Sequence, residues 1–421
     1  MITRRQLLKT TAAAYAASFA MPALASGTKI KIGYVTPQSG PLSAFAQADS
    51  YMVSKFLESA KALGLDVEVI VKDSQSNPNR AAEVAKELIS RDEVNLILVA
   101  STPETTNPVC AVGESEEVPV ISSVAPWQPW FIGQQGNPAD PASWQEFDYA
   151  YHFFWGLEDN VSVFLNMWNS LDTNKKVGAL WPNDGDGNAW ASHVGMPPAA
   201  KIAGYDLTDP GRYQNLTDDF SAQINAFKQA GCDIFTGIPI PPDFTTFWTQ
   251  AAQQGFKPKI VSIAKALLFP ESVVALGELG HNLTAEIYWS PAFPYKSSLT
   301  GESSAELADG FSKAAKRQWT QPVGFTHALF ELAADVLKRA SDPTDNEAIV
   351  EAISATNLDT VVGNIKWGKD NVPPFARKNV AKTPLVGGQW RRKNDGTFDL
   401  VIVENANAPE IPLGGKLELL G

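Results

Sequence analysis

Apolar positions along this chain alternate between two periods. Residues 29–35, 66–72, 95–100 and 118–122 read as strands, and 95–100 is a short apolar run of the kind a covered parallel sheet needs. Between them, residues 44–63, 79–91 and 105–112 place apolar side chains at helical spacing. The helix at 79–91 opens after Asn77 and Pro78, a start signal of the expected kind. Strand-then-helix alternation builds βαβ units and a doubly wound sheet.

Residues 126–155 interrupt this series and are rich in aromatic side chains and proline. A second series follows, with helices expected at 159–171, 188–203, 218–230 and 242–254 and strands at 176–181, 233–237, 259–263 and 285–289. Long helices return at 303–318 and 324–339, and a shorter one at 346–355 is capped from Asp345 or from Pro343 and Thr344. Residues 361–403 read as short strands and hairpins, and 404–421 as a tail containing Pro and Gly. Two series, each with its own sheet, imply two lobes with a cleft between them. Ligands of open parallel sheets bind beyond the carboxyl ends of the strands. That rule selects the segments 37–45, 101–105, 123–130, 181–188, 238–243 and 264–266.

The first residues carry a different pattern. Arg4 and Arg5 precede Gln6, Leu7, Leu8 and Lys9, an Ala-rich apolar stretch runs from 10 to 24, and Ala23, Leu24 and Ala25 form a small-x-small cleavage site. The stretch is too short and too rich in Ala for a membrane anchor. The expectation is a cleaved twin-arginine signal over residues 1–25 and a mature protein in the periplasm. No Cys follows the cleavage site, so a lipid anchor is not indicated.

The chain beyond the signal, nearly 400 residues, exceeds one ordinary core and calls for two domains. The full chain carries a net charge of −12, and its signal holds basic residues and no acid, so the mature part is more acidic still. Such a surface argues against nucleic acid or anionic lipid as a partner. Cys110 and Cys232 fall in different lobes on this division and read as separate buried thiols, without metal or redox spacing.

No catalytic or metal-binding constellation stands out. His152, His193, His281 and His327 are scattered, and the sequence has no GxSxG, HExxH or P-loop pattern. Asp184, Asp186 and Asn188 invite a calcium loop, but one counted from Asp184 needs Gly and Glu where the chain has Ala189 and Gly195. A Gly-rich turn before a helix is the reading there. Neither an enzyme nor a cofactor is expected. Aromatic content is more telling. Among 12 Trp, Trp127, Trp130, Trp155, Trp181 and Trp289 fall near the expected cleft, where an indole offers a broad face and one N–H donor. Trp168, Trp190, Trp319, Trp367 and Trp390 read as structural.

An ordered set of stretches carries a resemblance. Ile30, Lys31, Ile32 and Gly33 lead to Ser39, Gly40 and Pro41; Asp73 is followed by Pro78 and the segment 81–85. Asp219, Phe220 and Ser221 precede Ala230, Gly231, Cys232 and Asp233; Gln250 and Ala251 lead to Gly255, Phe256 and Lys257; Thr360, Val361, Val362 and Gly363 form a late turn. Together they resemble the branched-chain-amino-acid (leucine-binding) type of periplasmic solute-binding protein of ABC transporters, over nearly all of the mature chain. The resemblance implies an α/β, type I periplasmic-binding-protein fold, each lobe a doubly wound parallel sheet, with three hinge crossings. Lobe 1 would be 26–154 and 290–383, lobe 2 155–289 and 384–404, and 405–421 a C-terminal tail. The implied activity is capture of a small-molecule solute by a monomer, closure of the lobes around it, and delivery to an inner-membrane ABC permease with its ATPases. A ligand-sensing module for a signalling partner is the alternative.

The implied pocket departs from the family pattern. The aromatic of the first turn is kept as Phe45. A ligand-binding hydroxyl after the third strand falls at Pro103, with Thr102, Glu104 and Thr105 beside it. A second falls at Pro126, between Ala125 and Trp127, and proline also lacks a backbone donor. Asp186 and Ile240 stand where the family has tyrosines, and Lys265 where it places an acid for the ligand ammonium. Trp155 and Trp181 complete the expected lining. A lysine in place of an acid repels an ammonium and attracts an anion or a hydroxyl. An aromatic or other organic acid is the first expectation, a polyol or sugar the second, and an amino acid is disfavoured.

Overall fold

The computed structural model describes residues 29–420. The signal read at 1–25 lies outside the described residues. The first strand series is β1 (Ile30–Thr36), β2 (Val67–Asp73), β3 (Leu96–Ala100), β4 (Val120–Ser123) and β5 (Ala150–Phe153). The second is β6 (Lys176–Pro182), β7 (Asp206–Thr208), β8 (Arg212–Tyr213), β9 (Ile234–Gly237), β10 (Ile260–Ile263) and β11 (Thr284–Ile287). A hairpin of β12 (Asn357–Thr360) and β13 (Gly363–Lys366) then precedes β14 (Val380–Ala381), β15 (Val386–Arg392) and β16 (Phe398–Glu404).

One sheet is entirely parallel, in the order β14-β5-β4-β3-β1-β2. Its strands alternate as a sheet covered on both sides must. Leu96 and Leu98 of β3 face one apolar cluster, while Ile97 and Val99 face another. On the first side lie helices Asp49–Ala62 and Pro322–Arg339, where Phe330 stacks on Phe56 at 4.8 Å and meets Tyr34 edge-on at 5.5 Å. On the second lie helices Pro78–Ser90 and Pro103–Ser115, with Val84, Leu88 and Val109. Asn77 caps the first of these by accepting from the N–H groups of Asn79 and Arg80.

The other sheet runs β16-β15-β11-β10-β9-β6-β7, with β8 also on β6. Strands β6 to β11 pair in parallel, as expected, but β15 and β16 add antiparallel to β11. This sheet is therefore mixed. Only residues 393–397 join β15 to β16, far too few for a parallel crossover. The chain passes between the sheets after β5, after β11 and after β14. At the last passage Lys382 reaches back to the first, 2.7 Å from Glu158 and 2.8 Å from Asp159. Cys110 and Cys232 are both buried and unbridged.

Beyond β7, β8 and a short helix at Pro270–Val274, which were not expected, the element pattern differs from the sequence expectation in three places. The helix expected at 44–63 starts as a separate 3-10 turn, Ser43–Ala46, before Asp49–Ala62. The helix expected at 188–203 is two, Gly185–Trp190 and Met196–Ile202, because Pro197 and Pro198 have no N–H to continue an earlier turn. The aromatic segment 126–155 contains helix Trp127–Ile132 and β5, which its prolines obscured.

Gly324 lets helix Pro322–Arg339 lie directly on the buried indole of Trp289, since a Cβ there would come 2.2 Å from the ring. Replacing it with Ala gains about 1 kcal/mol of helix propensity, but overpacking of this depth costs about 1–3 kcal/mol or more. Gly324→Ala should therefore lower stability in urea denaturation, and an unchanged or higher midpoint would show that the indole yields freely.

Candidate functional site

A small cavity of about 20 Å³ lies where the carboxyl ends of the two sheets meet. Each wall follows a strand. Phe45 comes from the turn after β1, Thr102 follows β3, Val124 and Pro126 follow β4, and Phe154 and Trp155 follow β5. From the second sheet come Asp186 after β6, Ile238 after β9, Lys265 and Leu268 after β10, Glu286 within β11 and Tyr288 just beyond it. Both sheets thus present a ligand crevice at their strand ends. The lobes touch around it: Phe45 meets Phe269 edge-on at 5.0 Å, and Glu104 accepts the Gly185 N–H at 2.6 Å.

Two wall residues hold a backbone conformation that non-glycine residues rarely adopt. Val124 has φ of 71° although it is β-branched. Lys265 has φ 62° and ψ −62°, and the Ala266 N–H donates to the Ala264 carbonyl at 2.7 Å across it. That is a γ-turn of the strained kind. Such conformations cost about 1–3 kcal/mol each and persist where surrounding structure imposes them. The imposing contacts are visible. The Lys265 N–H donates to Glu286 Oε1 at 3.1 Å. Beside Val124, His152 holds the Ala125 carbonyl at 2.7 Å through Nε2 and stands 2.8 Å from Ser122 Oγ through Nδ1. Burial pushes the His152 imidazole down to about 3, so the ring is neutral, with its proton on Nε2 and Nδ1 accepting from the serine. Trp130 stacks on it at 4.6 Å.

The polar groups are the cavity's main feature. Thr102 Oγ1, Trp155 Nε1, Asp186 Oδ1, Glu286 Oε2 and the Tyr288 hydroxyl are buried there without a hydrogen-bond partner. Leaving one such group unpaired costs about 1–3 kcal/mol, and native structures carry few of them. These five, with Lys265 Nζ, converge on the cavity from both lobes.

The charges form one cluster. Lys265 Nζ lies 2.6 Å from Asp186 and 3.6 Å from Asp184, with its side chain only 4% exposed. Burial alone would lower the Lys265 pKa, but Asp184, Asp186 and Glu104 outweigh it, and the ammonium stays charged. The carboxyls are raised too. Burial pushes Asp186 up to about 7 against the pull of Lys265, with Glu104 and Asp184 adding to the rise. Burial likewise pushes Glu286 up to about 8, opposed by the Lys265 N–H. Burial, reinforced by neighbouring carboxylates, thus holds Asp186 and Glu286 above their ordinary values while Lys265 stays charged.

The structure brings Phe45, Thr102, Trp155, Asp186 and Lys265 together and places the other expected residues elsewhere. Trp127 sits in the core beside helix Pro103–Ser115, its Nε1 donating to Glu158 at 3.2 Å. Trp181 is buried against Trp190, with ring centroids 5.9 Å apart. Thr105 and Ile240 are buried in the first turn and at the cap of helices Pro103–Ser115 and Pro241–Gln253. Ala125 contributes its carbonyl to His152 rather than a wall. Glu104 lies outside the cavity, facing a larger groove of about 600 Å³ with Pro108, Ile132, Trp144, Ala189 and Val194. That groove is broad and apolar, whereas the inner cavity holds the chemistry. Lys265 is buried and paired, not an open cation. Asp184 caps helix Gly185–Trp190 by accepting from Gly187 at 2.8 Å, the turn expected from its sequence.

Glu286, Tyr288, Val124, Phe154 and Leu268 were not expected. Glu286 had a legible signal, a charged residue inside a strand of a covered sheet. The others look like ordinary core residues in the sequence.

A family model described as periplasmic binding protein matches residues 29–383. Among solved structures, a leucine-binding protein from Thermotoga maritima is 17% identical, with a TM-score of 0.71 over 90% of this chain and 99% of its own. The substrate-binding protein of a branched-chain amino acid transporter from Streptococcus pneumoniae, in complex with isoleucine, is 18% identical, with a TM-score of 0.69 over 90% of this chain and 100% of its own. A solute-binding protein of an ABC transporter from Rhodopseudomonas palustris, in complex with 3,4-dihydroxybenzoic acid, is 16% identical, with a TM-score of 0.71 over 91% of this chain and 99% of its own. At these identities the likeness is one of fold.

Glu286 titrates near 4.5 when unperturbed and near 8 when buried here. Below the lower value folded and unfolded chains both hold the proton, and between the two only the folded chain does. Its contribution to stability is therefore lost as pH rises through that window. Glu286→Gln keeps the shape and removes the titration. Its stability relative to wild type should rise between pH 5.5 and 8.5 by roughly 1–3 kcal/mol, read from urea curves. A difference that does not change with pH would mean that the carboxyl is hydrated.

Proposed function

We propose, from the premise that this chain belongs to the periplasmic binding protein family, that it is the solute receptor of an ABC importer. An extracytoplasmic location follows from the family, and the named relatives are solute-binding proteins rather than enzymes. In this reading the twin-arginine signal exports the protein to the periplasm. The cavity between the sheets captures a small solute, and the closed monomer delivers it to an inner-membrane permease. The observation that carries the reading is the convergence of unpartnered polar atoms from both lobes on one cavity. At about 20 Å³ the cavity holds little more than a water molecule, so a solute is held only with the lobes further apart than they stand here.

The charge pattern favours an uncharged polar solute such as a polyol. The case for an organic acid needed Lys265 as a free cation, and Asp186 and Asp184 already compensate it. With Glu286 protonated at neutral pH, a carboxylate solute meets no unbalanced positive charge. Hydroxyl groups, which donate and accept, match the mixture offered by Thr102, Trp155, Asp186, Glu286 and Tyr288. The apolar walls of Phe45, Phe154, Ile238 and Leu268 suit the CH faces of such a molecule. One observation favours a second reading. Asp186 Oδ1 and Glu286 Oε2 together offer acceptors for an ammonium, as an amino acid would need.

Calorimetry with polyols, leucine and aromatic acids, repeated in buffers of different ionisation enthalpy, separates these cases. An uncharged solute should bind without releasing protons. An amino acid bound through Glu286 should release up to one proton at pH 7, because its ammonium expels the carboxyl proton. Tight binding of leucine with that release would move the assignment to the second reading. Tight binding of an aromatic carboxylate would overturn both and return Lys265 to the role of anion anchor.

A further inference from the structure

The loop that joins helix Trp127–Ile132 to β5 is out of scale with its neighbours. The helix-to-strand links that lead into β2, β3 and β4 are short, at 63–66, 91–95 and 116–119, whereas this one runs from 133 to 149. In compact domains a loop longer than about 12–15 residues is uncommon, and where it is ordered it usually serves a function. This loop is tied down along its length. Gln135 Nε2 donates to the Gln145 carbonyl at 3.0 Å, and its Oε1 accepts the Gln145 N–H at 2.8 Å. Glu114 accepts the N–H groups of Asp148, Tyr149 and Ala150. Trp144 meets Phe375 edge-on at 5.0 Å, and its Nε1 donates to the Asn137 carbonyl at 3.2 Å. What the loop builds is a wall: Pro138, Ala139 and Trp144 line the groove of about 600 Å³. Pro108 and Ile132 come from the helices of the first lobe, and Ala189 and Val194 from the second.

Such a volume falls in the range of small-molecule sites, roughly 300–1,000 Å³, and the groove has chemistry of its own. Asn107 Nδ2 donates to the Pro129 carbonyl at 3.0 Å, which fixes the amide, and Oδ1 is left buried without a partner. A buried acceptor of this kind calls for a donor. The lining includes Glu104 and His193 but no lysine or arginine, so an anionic group finds no fixed counter-charge. Pro103, Pro108, Pro129 and Pro138 stiffen the walls, and stiff walls lose little entropy on binding. The groove also adjoins the inner cavity: Pro103 follows Thr102, Gly185 precedes Asp186, and Gln128 stands two residues after Pro126. We propose that it is a second compartment of the solute site, taking a flat, uncharged apolar body with a donor group for Asn107. The inner cavity takes a hydroxylated head, so the solute class is a polyol or sugar that carries an aryl group. The head rests on the polyol reading of the inner cavity; the groove rests on its own walls.

Fluorescence titration with N-phenylnaphthylamine tests the groove directly. This probe is flat and uncharged, carries one N–H donor, and brightens in apolar surroundings. Wild type should bind it saturably, one molecule per chain. Ala189→Trp fills the groove from the second lobe and Trp144→Ala removes a wall, and each should weaken binding by about tenfold or more. Asn107→Leu removes the acceptor and should weaken it by about fivefold. Ile202→Ser, at an exposed apolar position outside the groove, should leave it unchanged. The groove is overturned as a site if wild type does not bind the probe or if Ala189→Trp binds it as well as wild type does. Should Trp144→Ala disorder the loop, Ala189→Trp decides. Unchanged binding by Asn107→Leu overturns the donor. Calorimetry with methyl and phenyl β-D-glucopyranoside tests the solute class. The phenyl compound should bind about tenfold more tightly to wild type, and Ala189→Trp should erase that difference. Equal affinity for the two overturns a solute that spans both compartments. If neither glucoside binds, the sugar head is overturned, and the probe still decides the groove.

Discussion

Burial of one ammonium group organises the centre of this protein. Lys265 lies between two sheets with its side chain almost fully out of water. An unpaired charge in that position costs several kcal/mol, so its surroundings are constrained. Asp186 and Asp184 must reach it from the segment after β6, and that segment must be close enough for Glu104 to bind Gly185. Glu286 must support the strained turn that aims the lysine inward. Moving any of these groups leaves a buried charge or a buried dipole uncompensated, and the lobes lose their fit.

The scaffold makes such a cluster attainable. In a doubly wound sheet every strand ends on the same side, so short segments after successive strands converge. Two sheets facing each other double that number and bring together residues as distant as Phe45 and Tyr288. The strained wall residues stand in related places, Val124 directly after β4 and Lys265 two residues beyond the end of β10. In each case a buried polar group holds the turn, His152 for the first and Glu286 for the second. Rigid strand ends under tension define a small cavity with little slack.

Much of the fold was legible along the chain, for a simple reason. Period-two burial in β3 and helical spacing in the segments around it are local properties, and backbone geometry converts them directly into elements. Parallel pairing followed from alternation throughout the first sheet but not in the second, where the short β15 to β16 link forces antiparallel addition. The rule that ligands lie beyond strand ends selected the segments of Phe45, Thr102, Asp186 and Lys265, all of which line the inner cavity. It did not show which way each side chain turns. Trp127 and Trp181 follow strands as expected, yet both rings pack inward.

The sequence by itself determined the two α/β series, the segments that reach the cleft and the acidic character of the chain. Tertiary structure alone decided the charge state and the membership of the site. Lys265 reads as a free cation until Asp184 and Asp186 are folded onto it, and Glu286 reads as a strand residue until β11 is placed beside the turn at Lys265. Elements depend on neighbours in sequence, whereas the electrostatics of a buried site depend on distance and desolvation among groups far apart in sequence, and only the packed lobes fix those.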